Sequence, residues 1–192
     1  TIAEYFRDKG YDVLLMMDSV TRFAMAQREI GLSTGEPPVS RGYPPSVFAL
    51  LPQLMERAGN SKKGSITAFF TVLVDGDDLN DPIADQSRSI LDGHIVLTRD
   101  LTEQGFYPPI NILKSASRVI DKVVTKEHYN DFLKLKRVLS LIKENEVLIR
   151  VGAYKKGMDL ELDSAIAKKE KAREFLTQGT LEKYSFDEIA VS

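Results

Sequence analysis

Five apolar residues, Val13 to Met17, end abruptly on a carboxylate, Asp18, and a helical pattern starts at once in "SVTRFAMAQRE". A carboxylate at the end of a buried strand is costly unless it meets a cation or a hydrogen-bond donor. An apolar strand ending in Asp has the form of a Walker B acid, which helps hold Mg²⁺ beside nucleotide phosphates. The same pattern serves more commonly as a helix cap or turn former. Arg118, in "SASRV", has two readings as well. It is either a surface ion-pair residue or a finger whose planar fork stabilises charge on a transferring phosphoryl group. Tyr107, in "GFYPPI", follows Gly105 and precedes two prolines, and is either a local packing residue or a fixed aromatic platform for a base.

Other chemistries lack their parts. No G-x-x-x-x-G-K-[ST] loop occurs in the 192 residues, so a Walker B acid here has no phosphate cradle within this stretch. His94 and His128 have no ligand-type neighbours at metal-binding spacing. "DGDDLNDP" lacks the spacing of an EF-hand and reads as a solvated loop. Ser19, Ser115 and Ser117 have no recognisable base partner. Cysteine is absent, which excludes disulfides and thiolate metal sites.

These residues need a scaffold, and the hydropathy pattern supplies one. "TIAEYFRDKG" reads as a helix stopped by Gly10, and the chain opens inside it, which leads us to expect a fragment. "DVLLMMD" and "SITAFFTVLV" read as fully buried strands because their apolar runs are continuous. "SVTRFAMAQREIG" places Val20, Phe23, Ala24, Gln27 and Ile30 near one helical face, with Gly31 as its stop. A Gly/Pro-rich loop, "LSTGEPPVSRGYPP", precedes the helix "SVFALLPQLMERAG", where Ser46 is the expected N-cap. "QSRSILDG" is a short helix or turn, "HIVLT" a third strand and "RDLTEQG" a helical turn. Alternating strands and helices predict an α/β layer with a mainly parallel sheet. Ligands bind such sheets at the carboxyl ends of the strands, where Asp18 stands.

From about Asp121 the strand signals stop. "EHYNDFLKLKRVLSLIKENE" aligns Phe132, Leu135, Leu139 and Ile142, and "LDSAIAKKEKAREFLTQG" aligns Leu162, Ile166, Ala172 and Phe175 before Gly179. A small helical domain follows, with the two-glycine loop "VGAYKKGMD" between its helices. Residues 1–121 carry a net −4 and 122–192 a net +2, for −2 in all. That balance offers no general attraction to nucleic acid, and no apolar run approaches the roughly 20 residues of a membrane span.

Three long strings occur in order: "LLMMDSVTRFAMAQREIGLSTGEPPVSRGYPPSVFALLPQLMERAG", "GSITAFFTVLVDGDDLNDPIADQSRSILDGHIVLTRDL" and "FYPPINILKSASRV". They closely resemble the flagellum-specific export ATPases, type III secretion ATPases of the F1/V-type rotary superfamily. The injectisome ATPases of virulence secretion are their near relatives, although "GEPPVSRGYPP" and "REIGLSTG" look more flagellar. The similarity runs from Thr1 to about Gly179.

The resemblance implies an α/β fold: the carboxyl-terminal part of a RecA-like P-loop domain over 1–121, then a small all-helical domain over 122–192. It implies that the phosphate loop and the catalytic glutamate lie upstream, so that the chain alone is inactive. Asp18 would be the Walker B acid holding Mg²⁺ through water, and Arg22 would lie near the phosphates of ATP. Tyr107 would stack on the adenine of its own subunit, and Arg118 would reach the neighbouring subunit's site. A homohexamer is implied, as are a central stalk protein, a regulatory or peripheral stalk protein, the export gate and export chaperones. The implied location is cytoplasmic, at the inner face of the cytoplasmic membrane, with peripheral association only. Both Gly/Pro loops would face a central channel. "GAYKKGMDLELD" would be the lever loop that touches the stalk, and its acids Asp159, Glu161 and Asp163 are fewer than in the respiratory catalytic subunit.

Overall fold

The expected opening helix is α1, Ile2–Asp8, and the chain leaves it through Gly10 at φ 95°, a left-handed conformation that glycine adopts without a Cβ penalty. The structure is a computed structural model and describes residues 1–191. It divides into two compact units, Thr1–Asp92 and a second beginning at Gly93.

In the first unit, β1 (Asp12–Met17) runs parallel to β3 (Ser65–Phe70) over six residue pairs, from Asp12 opposite Ser65 to Met17 opposite Phe70. A short β2 (Gly59–Asn60) pairs antiparallel on the other edge of β3, giving the order β1-β3-β2. The helices are α2 (Val20–Ser33), α3 (Pro45–Met55) and α4 (Pro82–Ile90). Their apolar faces close a core of Val20, Ala24, Tyr43, Val47, Leu51, Met55 and Ile83, with Met17 and Phe70 packed against it from the strand ends. At α1, Arg57 clasps the carboxylate of Glu4, and that hydrogen bond holds the Glu4 pKa down to about 2.

Three local expectations fail here, each for a packing reason. Neither long strand is fully buried: in β1 Val13, Leu15 and Met17 are half-covered while Leu14 and Met16 stay 61% and 74% exposed, and in β3 Phe69 is 53% exposed while Ile66 is buried. Only one face of this ladder is covered by the unit's helices, so a continuous apolar run becomes an alternating one. Gly31 does not stop α2; it lies buried inside the helix, where a Cβ would come within 2.7 Å of Pro44 Cγ and 3.0 Å of Ser46 Oγ. Ser46 is not the cap of α3, which starts at Pro45 after Pro44. Its amide donates instead to Glu36 Oε2 (3.0 Å), and its hydroxyl accepts from Gln27 Nε2 (3.2 Å).

In the second unit, "HIVLT" forms no third parallel strand. Two residues, β4 (Gly93–His94), pair antiparallel with β5 (Ala116–Ser117), and Leu97 bridges Ile110. The helices are α5 (Arg99–Glu103), α6 (Ile120–Val123), α7 (Lys126–Glu144), α8 (Glu146–Arg150), α9 (Leu160–Leu176) and α10 (Phe186–Val191). α7 and α9 enclose Leu141, Leu162 and Ala165, with Val138, Ile142, Ile149, Tyr154 and Ile166 around them. Phe175, expected on the buried face of α9, is largely exposed, and the helix ends at Leu176, before Gly179.

Candidate functional site

The parallel register brings the site of the first unit together. Because Met17 faces Phe70, the next residues of the two strands, Asp18 and Thr71, emerge side by side at the carboxyl edge. The backbone pairing continues past the strands: Thr71 N–H donates to the Met17 carbonyl (3.1 Å) and Val20 N–H to the Thr71 carbonyl (2.9 Å). Across this corner the Thr71 hydroxyl donates to Asp18 Oδ1 at 2.6 Å. Thr21 secures the same corner, donating to the Leu73 carbonyl (3.2 Å) and accepting from Leu73 N–H (2.8 Å).

The helix cap is not Asp18. Ser19 caps α2, its hydroxyl accepting from Arg22 N–H (3.3 Å), which leaves the Asp18 side chain exposed at the strand end. Arg22 is exposed in the first turn of the same helix. Mg²⁺ is usually held by one or two carboxylates together with water and phosphate oxygens. One exposed carboxylate fixed by a hydroxyl fits that donor set. Among the described residues no group of three or more His, Cys, Asp or Glu gathers into an all-protein cage.

The two Gly/Pro loops of this unit are tied to one another. Arg41 bonds to Asp78 Oδ2 and lies 3.6 Å from Asp81 Oδ2, while Asp81 caps α4 through the amides of Ile83 and Ala84. The Arg41 hydrogen bond holds the Asp78 carboxyl below the usual carboxylate range.

Tyr107 and Arg118 belong to the second unit. Tyr107 is 51% exposed and precedes a cis proline, Pro108. It opens on a cleft of about 530 Å³ whose other walls are Glu174, Thr177, Gln178, Glu182 and Tyr184. Its carbonyl accepts from Gln178 N–H at 2.8 Å. Arg118 is exposed and directly follows β5. Sequence reasoning missed Thr71 and the far wall of the Tyr107 cleft, because both lie remote in the chain from the residues they serve.

The lever-like loop is also built differently from its acidic composition. Asp159 caps α9 through Glu161 N–H (2.8 Å) and Leu162 N–H (3.0 Å). Glu161 forms a two-pronged pair with Arg137 (2.8 and 2.7 Å). Asp163 takes the Tyr154 hydroxyl (2.8 Å) and Gly157 N–H (2.8 Å). All three acids are engaged within the unit, while Met158 and Leu160 are exposed.

This geometry has clear counterparts. The model of the ATP synthase alpha/beta family, nucleotide-binding domain, matches residues 1–117, well over half of the chain. The chain belongs to the ATP synthase alpha/beta family. A second model, the T3SS EscN ATPase C-terminal domain, matches residues 124–191. The chain is 64% identical over 179 residues to the flagellum-specific ATP synthase of Helicobacter pylori, covering 93% of this chain and 41% of that protein. Among solved structures it is similar to the assembled ATPase EscN of the enteropathogenic E. coli type III secretion system. That match has a TM-score of 0.96 at 53% identity, covering 99% of this chain and 46% of the other. EscN in complex with its central stalk EscO matches with a TM-score of 0.88 at 51% identity, covering 99% of this chain and 45% of the other. The resemblance drawn from the three strings and the α/β class with a helical carboxyl-terminal part are thereby borne out. The chain spans about two fifths of the length of the curated relatives it matches.

Proposed function

We propose that the whole protein carrying this chain hydrolyses Mg-ATP to energise type III export of flagellar proteins. In this reading residues 1–121 complete a nucleotide-binding domain and 122–192 form its helical carboxyl-terminal domain. The observation that carries it is the Asp18–Thr71 pair at the carboxyl edge of a parallel strand pair, in a chain of a nucleotide-binding family.

Mg²⁺, when bound near Asp18, neutralises phosphate charge. The Asp18 carboxylate, oriented by Thr71, would hold Mg²⁺ directly or through water, and Arg22, in the first turn of α2, would serve the phosphates. Tyr107 supports the adenine of its own subunit. Arg118 places a guanidinium at the neighbouring subunit's site, stabilising charge in the transition state. Sites shared between subunits require a head-to-tail interface that closes into a ring, here a homohexamer. Its partners would be a central stalk, a peripheral stalk, the export gate and export chaperones at the inner face of the cytoplasmic membrane. No helix among the described residues is long and apolar enough to cross a membrane. The 192 residues alone, without a Gly-Lys-Ser/Thr loop, act as a binding module and not as a catalyst.

Arg118→Ala in the whole protein tests the mechanism. Turnover should fall by about 10³–10⁵ while nucleotide binding persists; unchanged turnover rejects the assignment. The injectisome reading is favoured by the close fit to EscN, the flagellar one by 64% against 53% identity. Expression in a strain lacking its own flagellar export ATPase should restore motility. Rescue of effector secretion without motility would establish the injectisome reading instead.

A further inference from the structure

The segment that leaves β3 joins the Asp18 corner to the tie between the two Gly/Pro loops, and it is pinned at both ends. At its start the Thr71 hydroxyl meets Asp18 Oδ1 (2.6 Å), and Thr21 Oγ1 engages the Leu73 N–H (2.8 Å) and carbonyl (3.2 Å). At its end Asp78 Oδ1 accepts Asn80 N–H (2.9 Å), Arg88 Nη2 donates to the Leu79 carbonyl (2.7 Å), and Asp81 caps α4. A single turn, closed by Asp78 N–H on the Asp75 carbonyl (3.1 Å), joins the two anchors. A displacement of Asp78 therefore has few residues to dissipate in before it reaches Thr71.

Arg41 grips the far anchor from the other loop. Tyr43 N–H donates to the Ser40 carbonyl (2.8 Å), closing a tight turn whose central residues, Arg41 and Gly42, have φ 44° and 80°. The turn stands on the core, because Tyr43 is buried there and the Arg28 guanidinium lies 5.7 Å from its ring centre. From that base the Arg41 fork spans two carboxylates, with Nη2 on Asp78 and Nη1 3.6 Å from Asp81 Oδ2. Among the described residues, the non-glycine positions at positive φ are Arg41 and Asp77, and both lie at this junction. Such conformations persist where the surroundings over-determine them, and they cluster at functional sites. The Arg41–Asp78 pair itself adds little to the stability of the fold, since its side chains are 50% and 34% exposed and water screens them. What it supplies is position.

We propose that Arg41 is a positioning residue for the magnesium acid: by clasping Asp78 and Asp81 it holds the segment from Thr71 to Asp81 where the Thr71 hydroxyl meets Asp18. This rests on the reading of Asp18 as the Mg²⁺ acid. Arg41 acts through Asp78 and Thr71.

The test compares Arg41→Ala, Arg41→Lys, Thr71→Val and the double variant Arg41→Ala/Thr71→Val in the full-length protein. Three quantities are read: the Mg²⁺ concentration for half-maximal ATP turnover, amide hydrogen exchange across 71–81 without metal or nucleotide, and the urea midpoint. Coupling through a bonded network of this kind corresponds to roughly a 2- to 30-fold effect. Arg41→Ala should raise the Mg²⁺ requirement on that scale and speed exchange as far back as Leu73, with the urea midpoint unmoved. Arg41→Lys restores the charge without the fork and should fall between Arg41→Ala and the parent. In the Thr71→Val background Arg41→Ala should add less than about twofold, because both changes break one line of contacts. An unchanged Mg²⁺ requirement in Arg41→Ala, with a raised one in Thr71→Val, overturns the inference and leaves Asp18 as the magnesium acid. If Thr71→Val leaves the requirement unchanged as well, the reading of the Asp18 corner fails and takes the inference with it. A full, independent increment in the double variant, exchange that quickens only beyond Asp75, or a lowered urea midpoint with the Mg²⁺ requirement unmoved also overturns it.

Discussion

Thr71 Oγ1 lies 2.6 Å from Asp18 Oδ1, the length expected when a hydroxyl donates to an ionised carboxylate. Such a partner fixes the direction of an acid without adding charge, as the outer contacts of metal-site ligands commonly do. Thr71→Val in the whole protein keeps the branch and removes the donor. It should weaken Mg²⁺-dependent hydrolysis by about 10- to 100-fold, with Thr71→Ser close to the parent. A Mg²⁺ titration of turnover reads this directly, and an unchanged Mg²⁺ requirement would make the bond structural only. Asp18 was legible in the sequence because an acid ending an apolar run is a local pattern. Thr71 was not, because it stands 53 residues away and only the parallel register brings it alongside. Tyr107 was legible as an aromatic fixed by Gly and Pro. Its opposite wall, from Gln178 to Tyr184, is again a matter of tertiary return.

Gly31 shows how an element is misread when a residue's local habit is taken for its role. Glycine is a poor helix former and a good stop, yet α2 passes through it to Ser33. The reason is a close crossing, with Pro44 and Ser46 at the start of α3 occupying the space of a Cβ. Two terms oppose each other in Gly31→Ala. Helix propensity and reduced unfolded-state freedom favour alanine by about 0.5–1 kcal/mol. Overpacking against a rigid proline ring costs about 1–3 kcal/mol. The steric term should win, lowering the urea midpoint with an unchanged slope; a raised midpoint would show that the α2–α3 crossing relaxes freely. The same crossing explains Ser46, whose polar atoms are already committed to Glu36 and Gln27. The order α1, β1, α2, α3, β3, α4 in the first unit was plain from periodicity, whereas the two-residue β2 was not. The failure of "HIVLT" as a third strand was not, since a short apolar run fits a sheet strand and an irregular crossing equally well.

Across the whole molecule, the division of labour proposed for Tyr107 and Arg118 is what a ring requires: one residue for its own site, one for the next. The family assignment rests on the length and order of matching strings, and composition with hydropathy periodicity would have stopped at an α/β protein of near-neutral charge. The most direct measurement mixes two full-length variants that are each inactive, Asp18→Asn and Arg118→Ala, and follows Mg-ATP hydrolysis. If Asp18 serves its own subunit and Arg118 its neighbour's, random mixed rings rebuild intact sites at about a quarter of their interfaces. Activity should then return on mixing and subunit exchange. A mixture as inactive as either variant alone, under conditions where the subunits are seen to exchange, would contradict the shared site.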